Sequence, residues 1–214
     1  MVEYNKIDTV YERDMNGSKK LIEGQFRDET VKYIADNEWV FTEKIDGTNI
    51  RVHWDGHRVE FGGRTDRAQI PAHLYNKLAE LFLGNATEEL FEQTFGEKDV
   101  ILFGEGYGAK IQNGGLYRDD VGFILFDVMI GENYQSRECV EGIAKCFNLE
   151  VVPVIMRGTI EEAVALVKKN PLSSIGTAKM EGLVGRPLVE MRDRCGKRLI
   201  VKIKACDFEK EVQE

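Results

Sequence analysis

Several residue types that mark particular protein classes are scarce or scattered in this sequence. Its 214 residues include only 4 prolines, 4 cysteines and 3 histidines. The cysteines form no Cys-x-x-Cys pair, and no histidine lies at a zinc-like spacing from them, which argues against a zinc or dithiol site. No apolar run approaches the roughly 20 residues that a membrane-spanning helix needs.

The chain also shows no targeting or linker segment. Residues 1–6 lack the basic-then-apolar pattern of a signal peptide, so we expect a cytoplasmic protein. There is no low-complexity stretch, internal repeat or linker rich in proline or serine. The hydrophobic content of 43% is sufficient for one large domain or two small ones.

A positive net charge is missing as well. The formal net charge is −8 and the isoelectric point is about 5.1. Proteins that grip nucleic acid over a broad surface are usually basic, so the charge alone favours a small-molecule enzyme. Any nucleic acid would have to meet a local basic cleft on an acidic body.

The distribution of apolar residues predicts an α+β fold of antiparallel sheets flanked by helices. Short runs rich in Val, Ile and Phe, bounded by Gly or Asp, predict strands. These are 39–45, 49–54, 58–61, 100–104, 122–130, 151–156, 182–184, 188–191 and 198–205. One-sided apolar patterns predict helices over 28–36, 71–83, 88–95, 137–147 and 160–169.

Three local signals support these elements. Asp55-Gly56 predicts a tight hairpin turn, and residues 192–197 predict a second hairpin. Thr159 and Glu162 have the spacing of a capping box at the start of the last helix.

Lys44 is the candidate nucleophile. It lies inside an apolar run that ends with Ile45, just before an Asp46-Gly47 turn, so its side chain can be half-buried at the mouth of a sheet. Burial disfavours an ammonium ion, and a neutral amine is nucleophilic. A surface lysine in a hairpin is the alternative interpretation of this segment alone.

Lys202 and Lys204 form a second candidate group. Their spacing of two on a strand places both side chains on one face, with Val201 and Ile203 on the other. Two neighbouring cations repel each other unless an anion lies between them, and a triphosphate would suit that place. An edge strand with a solvated lysine face is the alternative.

Glu105 and Glu181 are candidate ligand-binding carboxylates. Each lies where an apolar strand meets glycines, which allow a ligand to approach the backbone closely. A carboxylate there can accept ribose hydroxyls or hold a divalent cation. Either residue alone could also be a turn residue.

Taken together and in this order, these segments resemble the covalent nucleotidyltransferase superfamily of ATP-dependent ligases and mRNA capping enzymes. The matching segments are 44–47, Arg64 in 61–65, 102–105, 123–128, 181–184 and 201–204. The closer resemblance is to the nick-sealing type of RNA ligase found in phages and kinetoplastid editing complexes. It rests on Glu43-Lys44-Ile45-Asp46-Gly47-Thr48-Asn49, on 6–11 and on 104–112 with its Gln112.

The resemblance implies an ATP-grasp-like ligase catalytic (nucleotidyltransferase) domain, which we expect to span residues 1–214. Larger ligases of this kind continue into an OB fold or a helical module. We expect no OB or other C-terminal domain here, because the last matching segment ends at Lys204. It implies an ATP-dependent RNA ligase that forms lysyl-AMP, transfers AMP to a 5′-phosphate and joins that end to a 3′-hydroxyl. The implied partners are RNA ends in nicked or duplex RNA, without a membrane. End recognition that a C-terminal domain would provide could come from an accessory protein or from self-association.

The resemblance also assigns roles to single residues. Lys44, Lys202 and Lys204 are the implied catalytic residues, and Glu181 is the implied ligand of Mg²⁺ or Mn²⁺. The implied nucleotide-binding residues are Glu43, Asn49, Arg64, Glu105 at the ribose, Phe126 at the adenine, Glu181, Lys202 and Lys204. Phe123 and Phe126 lie on opposite faces of a regular strand, so one of them is expected to be core.

Three other functions stay open at this point. Two lie within the superfamily, namely a DNA ligase and a guanylyltransferase that uses GTP. The third is a non-catalytic module that binds a nucleotide or an RNA end. The complete set of Lys44, Glu105, Glu181, Lys202 and Lys204 argues against this last alternative.

Overall fold

The computed structural model describes residues 1–17 and 20–208. They fall into two compact units: the first contains Met1–Asn5 and Asp46–Val152, and the second contains Lys6–Ile45 and the residues from Pro153 onward. The prediction that residues 1–214 form one domain stays a prediction.

Among the described residues, thirteen strands follow one another along the chain. They are β1 (Asp8–Thr9), β2 (Tyr11–Arg13), β3 (Leu21–Phe26), β4 (Trp39–Glu43), β5 (Thr48–Trp54), β6 (Val59–Gly62), β7 (Val100–Gly108), β8 (Val121–Ile130), β9 (Asn133–Tyr134), β10 (Glu150–Val151), β11 (Val154–Gly158), β12 (Gly182–Pro187) and β13 (Val201–Lys204). The α-helices of the same residues are α1 (Glu29–Tyr33), α2 (Ala72–Phe82), α3 (Asn85–Phe95), α4 (Arg137–Cys146) and α5 (Ile160–Val167).

The first unit is built on a sheet with the strand order β10-β8-β7-β5-β6, and β9 pairs with β8. All its pairings are antiparallel except that of β10 with β8. Helices α2, α3 and α4 supply apolar side chains to a core that covers one face of the sheet. Fully buried members of this core include Leu78, Phe82, Phe91 and Leu102.

The second unit contains a sheet with the order β1-β13-β12-β4-β11 and the separate ladder β2-β3. Only β1 and β13 pair in parallel. Residues of α1 and α5 pack with alternate residues of the strands. The fully buried Trp39, Phe41, Leu183 and Ile203 mark the apolar face of this sheet.

The helix starts follow from the sequence. Thr159 Oγ1 accepts a hydrogen bond from Glu162 N at 3.2 Å, and the Glu162 carboxylate accepts from Thr159 N at 2.8 Å, which confirms the capping box. Asp28 caps α1, and Ser136 caps α4. These caps satisfy amide groups that have no partner within the helix.

The predicted α+β class with mainly antiparallel sheets is confirmed. The hairpin at Asp55-Gly56 is confirmed as well, because β5 and β6 pair across it. No helix in the described part of the chain is both long and apolar enough to cross a membrane.

Two predicted strands are wrong. The segment 151–156 is interrupted at Pro153, which has no N–H group to donate, and β10 and β11 belong to different sheets. The segment 188–191 forms no strand, and Leu188, Val189 and Met191 are exposed despite their apolar side chains. The short strands β1, β2 and β3 were not predicted, since β3 is mostly exposed and lacks an apolar alternation.

Candidate active site

Lys44 lies directly after β4, an inner strand between β12 and β11. The backbone that leads into Lys44 is fixed on both sides of the Glu43 Cα, because Glu43 N donates to Pro153 O and Lys44 N donates to Gly182 O, each at 2.9 Å. The Lys44 side chain is 26% exposed. The expected half-buried lysine at the mouth of a sheet is therefore observed.

Glu181 joins two of the predicted lysines. Its Oε2 lies 2.5 Å from Lys44 Nζ, and its Oε1 lies 2.9 Å from Lys204 Nζ. Gly182 pairs with Lys204 in the sheet and has a φ of +154°, and a Cβ at this position would lie 2.0 Å from Ile203 O. Glycine is thus required where the three charged side chains meet.

Strand β13 confirms the alternation predicted from its sequence. Val201 and Ile203 are buried in the core, whereas Lys202 and Lys204 are half-buried on the opposite face, here called the lysine face. The alternative of an edge strand is wrong, because β13 lies between β1 and β12. Burial lowers the pKa of Lys204, but the hydrogen bond and the charge of Glu181 outweigh it and raise the pKa overall.

The lysine face suits an anion that coordinates a metal. Lys44, Lys202 and Lys204 outnumber the Glu181 carboxylate, so this face is cationic on an acidic protein. In the described ranges no three His, Cys, Asp or Glu side chains form a group that could hold a metal ion. Mg²⁺ is commonly held by one or two carboxylates together with substrate phosphates, and Glu181 fits that pattern.

The first unit carries other predicted residues on the face opposite its core, here called the Asn49 face. Asn49 on β5 pairs in register with Glu105 on β7, and both are half-buried. Asn49 Oδ1 is buried and has no hydrogen-bond partner among the described residues. A Cβ at Gly47 would lie 2.4 Å from Gly106 O and 2.7 Å from Glu105 Cγ, so the turn after Lys44 requires glycine.

Phe126 occupies an irregular position in β8. Phe103 pairs with Asp127 and the next residue of β7 pairs with Leu125, which leaves Phe126 as the extra residue of a β-bulge. The centroid of its ring lies 5.1 Å from that of the Tyr4 ring, and Tyr4 OH donates a hydrogen bond to Asp127 Oδ2 at 2.9 Å. Both residues of the bulge therefore contact Tyr4, which was not among the predicted residues.

Phe123, the other candidate aromatic, belongs to the core. It is 3% exposed and contacts Phe82 of α2 edge to face, with ring centroids 5.3 Å apart. Phe126 is half-buried. The expectation that one of the two rings is core is confirmed.

Arg64 is exposed and follows β6. The segment around it is held by Arg51, whose Nε donates to Gly63 O at 2.7 Å and whose guanidinium contacts Asp66 Oδ1 at 2.9 Å. The Arg51 side chain is completely buried. Sequence reasoning missed this role, because an arginine between Ile50 and Val52 is expected on the solvated face of a strand.

Glu43 points away from the lysine face and is only 2% exposed. Ser173 Oγ donates to its Oε1 at 2.5 Å, and Ser174 N and Ser174 Oγ donate to its Oε2 at 2.9 and 2.5 Å. The two serines were also missed, and their signal is a serine pair in the loop that leads to Glu181. A contact between Glu43 and a nucleotide stays a prediction.

The sequence model of the family described as RNA ligase matches residues 37–204. The chain belongs to the RNA ligase family. The match includes Lys44, Glu105, Glu181 and Lys204. No curated protein sequence matches this chain.

Solved structures of Naegleria gruberi RNA ligase share the family fold. An apo mutant is 19% identical with a TM-score of 0.65, and covers 97% of this chain and 58% of its own. A mutant with AMP and Mn is 17% identical with a TM-score of 0.67, and the match covers 95% of this chain and 56% of the mutant's chain. A mutant with ATP and Mn is 17% identical with a TM-score of 0.63, and the match covers 82% of this chain and 51% of the mutant's chain. The chain thus spans little more than half of these RNA ligases.

Proposed function

We propose that the protein is an ATP-dependent RNA ligase that carries AMP on Lys44. The observation that carries this proposal is the Glu181 carboxylate between Lys44 and Lys204, on a cationic sheet face of a chain that belongs to the RNA ligase family. The site offers one amine beside further cations, which suits attack on a phosphate and stabilisation of the charge that develops there.

In the first step the Lys44 amine attacks the α-phosphorus of ATP. An N–P bond forms, the P–O bond to the β-phosphate breaks, pyrophosphate leaves and the amine gives up its proton. Only a neutral amine attacks, so the ion pair of Lys44 Nζ with Glu181 Oε2 must be broken before this step. Lys202 and Lys204 stabilise charge on the α-phosphate oxygens.

In the second step an oxygen of an RNA 5′-phosphate attacks the phosphorus of the AMP. A P–O–P bond forms, the N–P bond to Lys44 breaks and the lysine amine is released. In the third step a 3′-hydroxyl attacks that phosphate, a phosphodiester bond forms and AMP leaves. Glu181 would hold Mg²⁺ or Mn²⁺, which supplies positive charge to the phosphates when bound.

The predicted residues of the first unit receive the roles that the resemblance implies. Glu105 holds ribose hydroxyls, Phe126 stacks on adenine, and Asn49 and Arg64 position phosphates or the attacking strand. The buried Oδ1, which has no hydrogen-bond partner among the described residues, supports a ligand contact for Asn49, because a buried acceptor without a donor is costly. For Glu43 we favour a structural role over a nucleotide contact, since its carboxylate already accepts three hydrogen bonds.

The biological substrate belongs to the proposal as well. We propose nicked or duplex RNA ends, a cytoplasmic location and an accessory protein that supplies end recognition. Residues 1–214 are proposed to act as one catalytic domain.

Labelled nucleotides and defined nicks test this function. The protein is incubated with Mn²⁺ and α-labelled ATP or GTP, and then with nicked RNA or nicked DNA. We expect covalent label from ATP alone and faster sealing of the RNA nick. Label from GTP would support a guanylyltransferase, faster sealing of the DNA nick would support a DNA ligase, and the absence of label would support a binding module.

A further inference from the structure

We propose that Ser173, Ser174 and Glu43 form a positioning cluster that fixes Lys44 for its attack on ATP. This inference rests on the proposed function and adds two residues to it. The cluster lies within the second unit and on the core side of the five-stranded sheet. It acts through the backbone and touches no substrate.

The Glu43 carboxylate is buried. A carboxylate that is removed from water is costly unless donors replace the lost hydration. Ser173 and Ser174 provide two hydroxyl donors and one amide donor at 2.5 to 2.9 Å. The position of Glu43 therefore depends on these two serines, because without them its carboxylate has to move outward.

Glu43 is the residue directly before Lys44. Consecutive residues at a strand end point to opposite faces, so Glu43 anchors on the core side while Lys44 projects on the lysine face. The amide of Lys44 is held by Gly182 O at 2.9 Å. An outward movement of Glu43 would strain this bond and displace Lys44 Nζ.

The loop that contains Ser173 and Ser174 leads to Glu181. Ser173 N donates to Ala178 O and Met180 N donates to Pro171 O, each at 2.9 Å, and Ile175 N donates to Ser173 Oγ at 3.2 Å. The loop is thus closed by its own hydrogen bonds. The cluster ties it to the end of β4, so one set of contacts fixes the backbone next to both partners of the Lys44–Glu181 pair.

The test measures the rate and ATP dependence of adduct formation with Mn²⁺ in a double variant, Ser173→Ala with Ser174→Ala. A misplacement of about 1 Å costs on the order of 100-fold in rate, so we expect a roughly 10- to 100-fold lower rate at saturating ATP. The ATP concentration for half-maximal rate should stay within about twofold, since the cluster contacts no nucleotide. Ser174→Thr keeps a hydroxyl and should retain a rate within about threefold of wild type.

Thr159→Ala is the matched control. It removes a serine-like hydroxyl that accepts from Glu162 N at 3.2 Å in the same unit, far along the chain from Lys44. We expect a similar fall in melting temperature and an adduct rate within about twofold of wild type. A wild-type rate in the double variant, or an equal loss in Thr159→Ala, would overturn the positioning role.

A different set of results is expected if the proposed function is wrong. If the wild type forms no adduct, that function is wrong, and hydrogen exchange of the Lys44 amide then tests the cluster. Faster exchange in the double variant, with unchanged exchange in Thr159→Ala, supports the cluster. Equal exchange in all three proteins overturns it.

Discussion

The lysine face and the Asn49 face differ in how their polar groups are satisfied. On the lysine face, Glu181 bonds to Lys44 and Lys204, so two of the lysines already have a partner. On the Asn49 face, Asn49 Oδ1 is buried without a partner among the described residues. The two faces belong to different sheets, and each lies opposite an apolar core.

The two faces therefore differ in what has to change when a ligand binds. On the lysine face, the ion pair of Lys44 with Glu181 has to be broken before Lys44 attacks ATP. On the Asn49 face, a ligand can donate a hydrogen bond to Asn49 Oδ1 without breaking an existing contact of that atom among the described residues. On the lysine face, the contacts of Glu181 with Lys44 and Lys204 are ion pairs. On the Asn49 face, a β-bulge places Phe126 and Asp127 against Tyr4. Mutations on the two faces should therefore have different consequences.

The largest predicted effect separates the two aromatic residues of β8. Phe123→Ala should lower the free energy of unfolding by about 3–5 kcal/mol, because it removes a buried ring from the core. Phe126→Ala should cost less than half of that, because Phe126 is only half-buried. It should instead raise the ATP concentration for half-maximal adduct formation roughly tenfold, since stacking on a base contributes about 1–3 kcal/mol.

Urea unfolding and ATP titrations of the two variants provide these measurements. Tyr134→Phe is a suitable control, because it alters the same apolar cluster without removing a ring. Equal ATP dependence in Phe126→Ala and wild type would remove Phe126 from the adenine site and weaken the contrast between the faces.

The smaller predicted effect concerns the alkaline stability of the lysine face. Because Glu181 raises the pKa of Lys204 in the folded protein, the stability from this pair is complete below pH 10.5 and is lost as the pH rises through the folded-state pKa. The difference in unfolding free energy between wild type and Lys204→Met should therefore shrink above pH 10.5. The change should stay below about 1 kcal/mol, because the Lys204 side chain is partly solvated.

Unfolding in urea at pH 9 and at a pH above 11 measures this difference. Lys179→Met is the matched control, since Lys179 Nζ donates to a backbone carbonyl on an exposed loop. A difference that stays constant or grows with pH would show that the pair does not stabilise the fold.

Much of the fold could be predicted from local sequence patterns. Strand β13 was predictable because its period of two is regular, with Val201 and Ile203 inside and Lys202 and Lys204 outside. The capping box of α5 was predictable because Thr159 and Glu162 interact within one helical turn. Motif order pointed to Lys44 and Glu181, although 137 positions separate them.

The unpredicted features depend on contacts between distant segments. The buried Arg51 is satisfied by carbonyl groups of Met1, Val2 and Gly63, which no local pattern reveals. The contact of Glu43 with the serines joins residues 130 and 131 positions apart. The segment 188–191 was predicted as a strand from its apolar side chains, but these side chains are exposed and no strand forms.

In the proposed reaction Lys44 itself carries the nucleotide. The most direct test is mass spectrometry of the intact protein and its peptides after incubation with ATP and Mn²⁺, for wild type and Lys44→Ala. We expect a mass increase of one AMP in the wild type, located on the peptide that contains Lys44, and no increase in the variant. An AMP adduct that persists in Lys44→Ala, or that maps to another lysine in the wild type, would contradict it.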